Sequence, residues 1–272
     1  MREPSTVFAL AAFAAAAALA GFAPQIFNDA DTWWHLAAGN WMLAHGAVPT
    51  RDIFTYTFSG TPWHAHEWLS EILMAGAFAT GGWMGLHLLF GIAFGATAAI
   101  VAGALRRRMD IIPALVVSLL ALACVSNSLL ARPHLLALPF LALWTAGLVR
   151  AREHAAAPPL WLAGVMLIWV NLHGSFAFGL ALAGALALEA VATASDRVGT
   201  AKAWGAFVAA SIIAALLNPQ FLDGLIFPIR LLLMPGLSSI GEWAPSDFSR
   251  PTPFLLALLA MILVLAMGKV RL

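Results

Sequence analysis

"HEWLSEILMAGAFATGG", His66 to Gly82, is the stretch on which the topology of this chain turns. It is apolar enough to enter lipid, yet it opens with Glu67 and Glu71. If it crosses a membrane, every later helix is inverted relative to the case in which it does not. That a membrane is involved follows from composition. The chain has 272 residues, 62% of them hydrophobic and 10% charged, and its mean hydropathy is +0.88. A soluble domain carries about 25% charged residues, so the main solvent here is lipid.

A crossing helix needs about 20 largely apolar residues. Eight such segments stand apart from 66–82, at about 5–25, 83–105, 111–130, 134–150, 158–174, 176–195, 203–219 and 252–268. Charge decides between the two topologies, because inner loops collect Lys and Arg. If 66–82 stays out of the count, the inner side receives Arg2, Arg106, Arg107, Arg108, Arg150, Arg152, Arg197, Lys202, Lys269 and Arg271, ten of the 14 basic residues. Arg51, Arg132, Arg230 and Arg250 make up the outer four. If 66–82 crosses, the triple arginine moves outside and the asymmetry collapses. The expectation is therefore an all-α, polytopic transmembrane helical bundle of about eight spans. Segment 66–82 is a helix on or in the outer leaflet, and both termini are cytoplasmic.

The whole chain, 1–272, reads as a single integral membrane domain, since no polar stretch is long enough for an independent core. Its first outer loop covers 28–82 and its last 218–252. Val7 to Gly21 is read as a retained helix, because "MREP" is weakly basic and Pro24 follows the best cleavage site. Cys124 lies in an apolar run and reads as a small buried side chain. A net charge of +1 gives no sign of a nucleic-acid partner.

This topology sends the unusual polar residues to the outer face. "NDADTWWHL", from Asn28, has two acids one residue apart. One can cap a helix; the other, Asp29 or Asp31, is free to act as a base within reach of a hydroxyl. Asp31 and His35 are four apart and share a helix face. Trp34 and Trp41 share another, placed for the headgroup layer. D-x-D also suits a divalent metal bound with a phosphate, so a divalent cation is the one cofactor candidate.

In "TPWHAHEWLSEIL", His64, His66 and Glu67 cluster densely enough for a site. Their spacing fits no standard zinc pattern, and Glu71 reads as part of a solvated helix face. In "SNSLLARPHLL", Arg132 stands where the third span meets the fourth, followed by Pro133 and His134. A guanidinium there can grip phosphate with two parallel bonds. "WVNLHGSFAFG" brings Asn171 and His173 to the end of the fifth span. The last outer segment has an apolar middle and five prolines between Asn218 and Pro253. It reads as an interfacial loop roofing a cavity, with Glu242 and Trp243 as substrate contacts and Asp223 and Asp247 as capping or turn residues. Within the spans, His87 reads as packed and Glu189 as snorkelling to the inner surface.

The order of these motifs, "DADTWWHLAAGNWMLAHGAVPTRDIFTYTFSGTPWHAHEWLSEIL", "ARPHL", "NLHGSF", "NPQF" and "EWAPSDF", resembles the GT-C superfamily of membrane glycosyltransferases, and more closely a set of bacterial multi-pass membrane proteins with that organisation. The resemblance implies sugar transfer from a polyprenyl-phosphate carrier to a glycan, lipid or protein acceptor outside the cytoplasm. It places the catalytic acid at Asp29 or Asp31. It gives phosphate binding to Arg132, with Arg51 or Arg230 in support, and substrate contacts to His35, His64, His66, Glu67, His134, Asn171, His173 and Glu242. Departures are Asp-Ala-Asp in place of the usual Asp-Glu and a short chain without the usual acceptor-binding part, which implies a fragment, a membrane protein partner or lost activity. Membrane lipid is the implied surrounding and a bacterial inner membrane the implied location. The rival reading is a non-catalytic membrane protein that binds or moves a lipid-linked sugar or scaffolds an envelope complex.

Overall fold

A computed structural model describes residues 3–237, 240, 243 and 245–268, and among them the secondary structure is helical, with no strand. The helices are α1 (Glu3–Gly21), α2 (Asp31–His45), α3 (Trp68–Arg106), α4 (Ile111–Val125), α5 (Pro133–Glu153), α6 (Leu162–Leu172), α7 (Phe176–Thr193), α8 (Arg197–Leu216), α9 (Leu222–Leu232) and α10 (Pro253–Ala266). Four of them, α3, α5, α7 and α8, are long and apolar enough to cross a membrane, and 5–21, α4, α6 and α10 are shorter apolar helices.

The stretch 66–82 becomes the first arm of α3. A straight helix of 39 residues would rise ~58 Å, about twice a hydrocarbon core of ~30 Å. It is not straight. Gly82 breaks it with φ 56° and ψ −142°, a conformation that only glycine adopts at little cost. No atom lies within 4 Å of where a Cβ would sit on Gly82, so the backbone angle, not crowding, demands glycine. Beyond it the chain doubles back, and a Cβ on Gly85 would overlap the Ala77 carbonyl. At the start of the first arm, the Ser70 hydroxyl donates to the carbonyl of Leu172 at the end of α6 (2.8 Å). Just past its far end, Trp83 packs on Phe27 and Trp33 with ring centroids 5.0 Å apart in each pair. Both ends of the arm therefore lie at one end of the bundle, and 83–106 alone runs its length.

Small residues let the helices approach closely. A Cβ on Gly91 would stand 3.0 Å from the Ala17 carbonyl, and one on Gly95 would stand 2.9 Å from Ala17 Cβ, so α1 runs antiparallel against the second arm of α3. A Cβ on Gly39 would be 2.8 Å from Ala75 Cβ, which seats α2 on the first arm. A second core joins α5 to α8 around the buried Trp144, Trp169, Trp204 and Phe207. The Trp144 indole N–H donates to the Gly179 carbonyl (2.9 Å) and that of Trp169 to Ser175 Oγ (3.0 Å), so neither buried donor is left unsatisfied.

At the opposite end, the guanidinium of Arg108 forks onto the carboxylate of Glu153 (Nη2 to Oε2 2.7 Å), and Arg152 Nε donates to Glu189 Oε2 at 2.7 Å. These pairs tie together the last turns of α3, α5 and α7. Glu189, expected to snorkel, is held there by a guanidinium one helix away. His87 is packed edge-on against Phe27 as expected, centroids 4.6 Å apart.

Candidate functional site

The site grows from a clasp between two distant loops. Ala131 donates its N–H to the Ile26 carbonyl (2.7 Å), and the buried Thr32 hydroxyl donates to the Ala131 carbonyl (3.2 Å). Arg132 follows, extended at φ −128° and ψ 160°, as a residue before proline must be. Its guanidinium forks onto Asp29, with Nη2 2.8 Å from Oδ1 and Nε on Oδ2. The same Nη2 lies 3.0 Å from Asp31 Oδ2. Asp29 Oδ1 also accepts the backbone N–H of Asp31 (3.1 Å) at the start of α2. The two acids thus divide their duties. Asp29, with a side chain 7% exposed, accepts the first N–H of α2 and seats Arg132, whose hydrogen bond holds its carboxyl below the usual carboxylate range against the opposing effect of burial. Asp31, 56% exposed, faces a cavity of about 510 Å³.

That cavity gathers Asp31, Trp34 and His35 from α2, Glu67 from the turn before α3, Arg132, Pro133 and His134 from the start of α5, His173 from the α6–α7 joint, and Trp243 from the last loop. His134 donates its Nε2–H to the Ser128 carbonyl (2.6 Å), so its ring is oriented by backbone.

Two carboxyl–imidazole pairs include residues of the wall, and of the four only Glu71 stands behind it. His35 Nδ1 is 3.1 Å from Glu71 Oε1, and both side chains are buried. Burial pulls the His35 pKa down, but the bond to Glu71 and the charges of Glu67, Glu71 and Asp31 raise it overall. Glu71 corrects the expectation of a solvated face. The solvent side of an isolated amphipathic helix is here covered by α2. In the second pair, the Ser175 backbone N–H donates to His173 Nδ1 (3.0 Å). The proton of the neutral ring is therefore on Nε2, which lies 3.3 Å from Glu67 Oε1. Burial and the neighbouring imidazoles of His134, His66 and His35 push the His173 pKa down to about 3. Burial raises that of Glu67. The contact sets a neutral imidazole 3.3 Å from the carboxyl group.

Other expected contacts fall elsewhere. Asn171 is a brace between helices: its Oδ1 accepts the Trp68 indole N–H (2.7 Å) and its Nδ2 donates to the carbonyls of Leu167 (2.8 Å) and Leu217 (3.0 Å). Arg51 Nη1 donates to the Gly60 carbonyl (2.9 Å) and closes its own loop. His64 and His66 stack against Phe227 of α9, centroids 5.2 and 4.6 Å apart. His66 lines a second, apolar slot of about 130 Å³ that it shares with His173, Phe227 and Trp243. The last loop contributes Trp243 to the cavity, and Trp243 and α9 line the slot. Asp247 is a turn residue, accepting the Ser249 N–H (2.8 Å), while Asp223 pairs with Arg230 (3.0 Å). Glu242 lies outside the described residues. Trp34 is not the headgroup anchor expected of it. It packs on Phe54 (4.9 Å) and Trp63 (5.6 Å) and turns to the cavity, while Trp33 is the exposed indole.

Among the described residues no group of three or more His, Cys, Asp or Glu is arranged to hold a metal ion. No protein-family model, curated protein or solved structure matches the chain.

Proposed function

We propose that the chain is a GT-C-like membrane glycosyltransferase that moves a sugar from a polyprenyl-phosphate carrier to an envelope acceptor. In this reading eight helices span a bacterial inner membrane, the arginine-rich ends of α3 and α5 face the cytoplasm, and the cavity opens on the extracytoplasmic side. One observation carries it. Carboxyl, guanidinium and imidazole groups from four separate segments meet in one cavity at the end of the bundle away from the arginine-rich turns. That is the depth at which a carrier anchored by its chain presents a phosphate. The guanidinium of Arg132 supplies the charge that steadies a phosphate leaving group. A carboxylate of the cavity receives the acceptor's proton, and direct displacement inverts the anomeric centre. His134 and Trp34 offer a polar contact and a ring face to a sugar.

The engagement of Arg132 by both Asp29 and Asp31 favours the second reading, a protein that binds the carrier without chemistry, because part of the guanidinium's charge is already met. The experiment is to reconstitute the purified protein in nanodiscs with a polyprenyl-phosphate sugar labelled in the sugar, add membrane extract, and separate carrier from products. Label leaving the carrier supports the transferase. Retained label with a bound carrier, seen by native mass spectrometry, supports the binder, and neither binding nor transfer removes both.

A further inference from the structure

We infer that Glu67, whose carboxyl lies beside His173 Nε2, is the group that takes the proton of the acceptor hydroxyl, and that Asp31 serves to hold Arg132 for the donor's phosphate. This rests on the transferase reading. Two carboxyl groups face the cavity beside Arg132, and their settings differ. Asp31 is more than half exposed and paired with a guanidinium at 3.0 Å. Glu67 has a side chain 15% exposed and, among the described residues, no guanidinium paired with its carboxyl; its neighbours are the imidazoles of His173 (3.3 Å) and His66 (3.8 Å).

Glu67 also stands where its side chain has an easier task. It is the N-cap of α3, yet it makes no capping hydrogen bond, although a carboxylate there satisfies free backbone N–H groups and meets the positive end of the helix. The side chain is turned to His173 instead. The histidine is fixed in turn: the Ser175 N–H occupies Nδ1 and leaves Nε2 as the only donor. This is a carboxyl group placed beside an imidazole whose tautomer the backbone sets, the arrangement that holds a proton-transferring group in place. Burial raises the proton affinity of Glu67, opposed by the charges of His66, His35 and Arg132 and reinforced by Glu71.

The step balances. The acceptor O–H proton passes to Glu67 as the acceptor oxygen bonds to the anomeric carbon. The bond from that carbon to the phosphate oxygen breaks, and its electron pair leaves on the phosphate beside Arg132. Glu67 then releases its proton to water in the cavity. Glu67 is thus the catalytic residue, and His173 a positioning residue.

The test compares variants of the full chain in nanodiscs, each confirmed as folded by its melting transition, in the labelled-sugar assay across pH. Glu67→Gln is expected to lower kcat by about 10²–10⁴-fold with the donor KM unchanged, and Glu67→Asp to recover part of the loss. Asp31→Asn is expected to raise the donor KM and keep the rise of kcat with pH. His173→Ala, which removes the N–H beside the carboxylate, should move that rise to higher pH, and His173→Gln, which restores an N–H at the reach of Nε2, should move it back. Wild-type kcat in Glu67→Gln, or loss of the pH-dependent rise in Asp31→Asn, would overturn the assignment while leaving the transferase standing. A wild-type protein that never moves label from the carrier would overturn both.

Discussion

Asp29 and Arg132 are 103 residues apart in sequence and joined by a two-pronged ion pair, with the same carboxylate accepting the first N–H of α2. One bond thereby fixes the start of α2 against the start of α5 and sets the position of the guanidinium in the cavity. Arg132→Lys keeps the charge and loses the fork. Its expected cost is about 1.5–3 kcal/mol in unfolding free energy of the detergent-solubilised protein, read from chemical denaturation. A cost near zero would mean the fork does not hold the two helices.

Gly39 and Gly82 separate two reasons for glycine. A Cβ on Gly39 would overlap the backbone carbonyl of Glu71, and backbone cannot move aside as a side chain can. Gly39→Ala should cost about 1–3 kcal/mol and push Glu71 away from His35. Gly82→Ala meets no atom but must adopt φ 56°, a strain on the order of 1–3 kcal/mol. Melting temperatures of both variants against wild type check this, and a silent Gly82→Ala would show that the chain does not reverse there.

The His35–Glu71 contact makes stability depend on pH. The folded-state pKa of His35 is raised, so the folded protein binds the proton more tightly than the unfolded chain. The stabilisation is complete below the unfolded value of about 6.5 and is lost as pH rises through the folded value. His173 acts in the opposite sense: with a folded pKa of about 3, it costs stability as pH falls from about 6.5 towards that value. Comparing His35→Gln with wild type isolates the first effect. The melting-temperature advantage of wild type should be largest at mildly acidic pH and shrink in alkali.

The orientation can be read directly. With Arg107 exposed beside the Arg108–Glu153 pair, a cysteine at 107 should resist a membrane-impermeant thiol reagent in intact cells and react after permeabilisation. Labelling in intact cells would invert the topology. A cysteine at exposed Tyr56 should behave in the reverse way.

Much of the helix inventory was legible from hydropathy alone, because each long apolar run became a helix: α5 and α7 begin and end close to the expected 134–150 and 176–195, while α8 starts at Arg197, well before the expected 203. Gly81 and Gly82 marked the end of the stretch beginning at His66 in the sequence, and Gly82 is the break in α3. The D-x-D pair and Arg132 were visible as polar residues in apolar surroundings, but their pairing was not, since nothing local links positions 29 and 132. Glu71 was misread for the same reason: its helix periodicity is that of a solvated face, and only the tertiary contact with α2 buries it. Asn171 looked like a site residue because a polar side chain at a helix end serves a cavity or a brace equally well. Trp34 carried the composition of a membrane anchor, and its burial depends on Phe54 and Trp63 folding back from the following loop.

The account stands most directly on whether sugar leaves a lipid phosphate in this cavity. The deciding measurement is a single-turnover incubation of the wild-type protein in nanodiscs with labelled polyprenyl-phosphate sugar and membrane extract, beside Arg132→Ala and Glu67→Gln. The account predicts free polyprenyl phosphate and a labelled acceptor in the wild-type reaction, donor binding weakened in Arg132→Ala, and donor bound but unreacted in Glu67→Gln. Release of the sugar at the same rate in all three, or no release by the wild type, would contradict it.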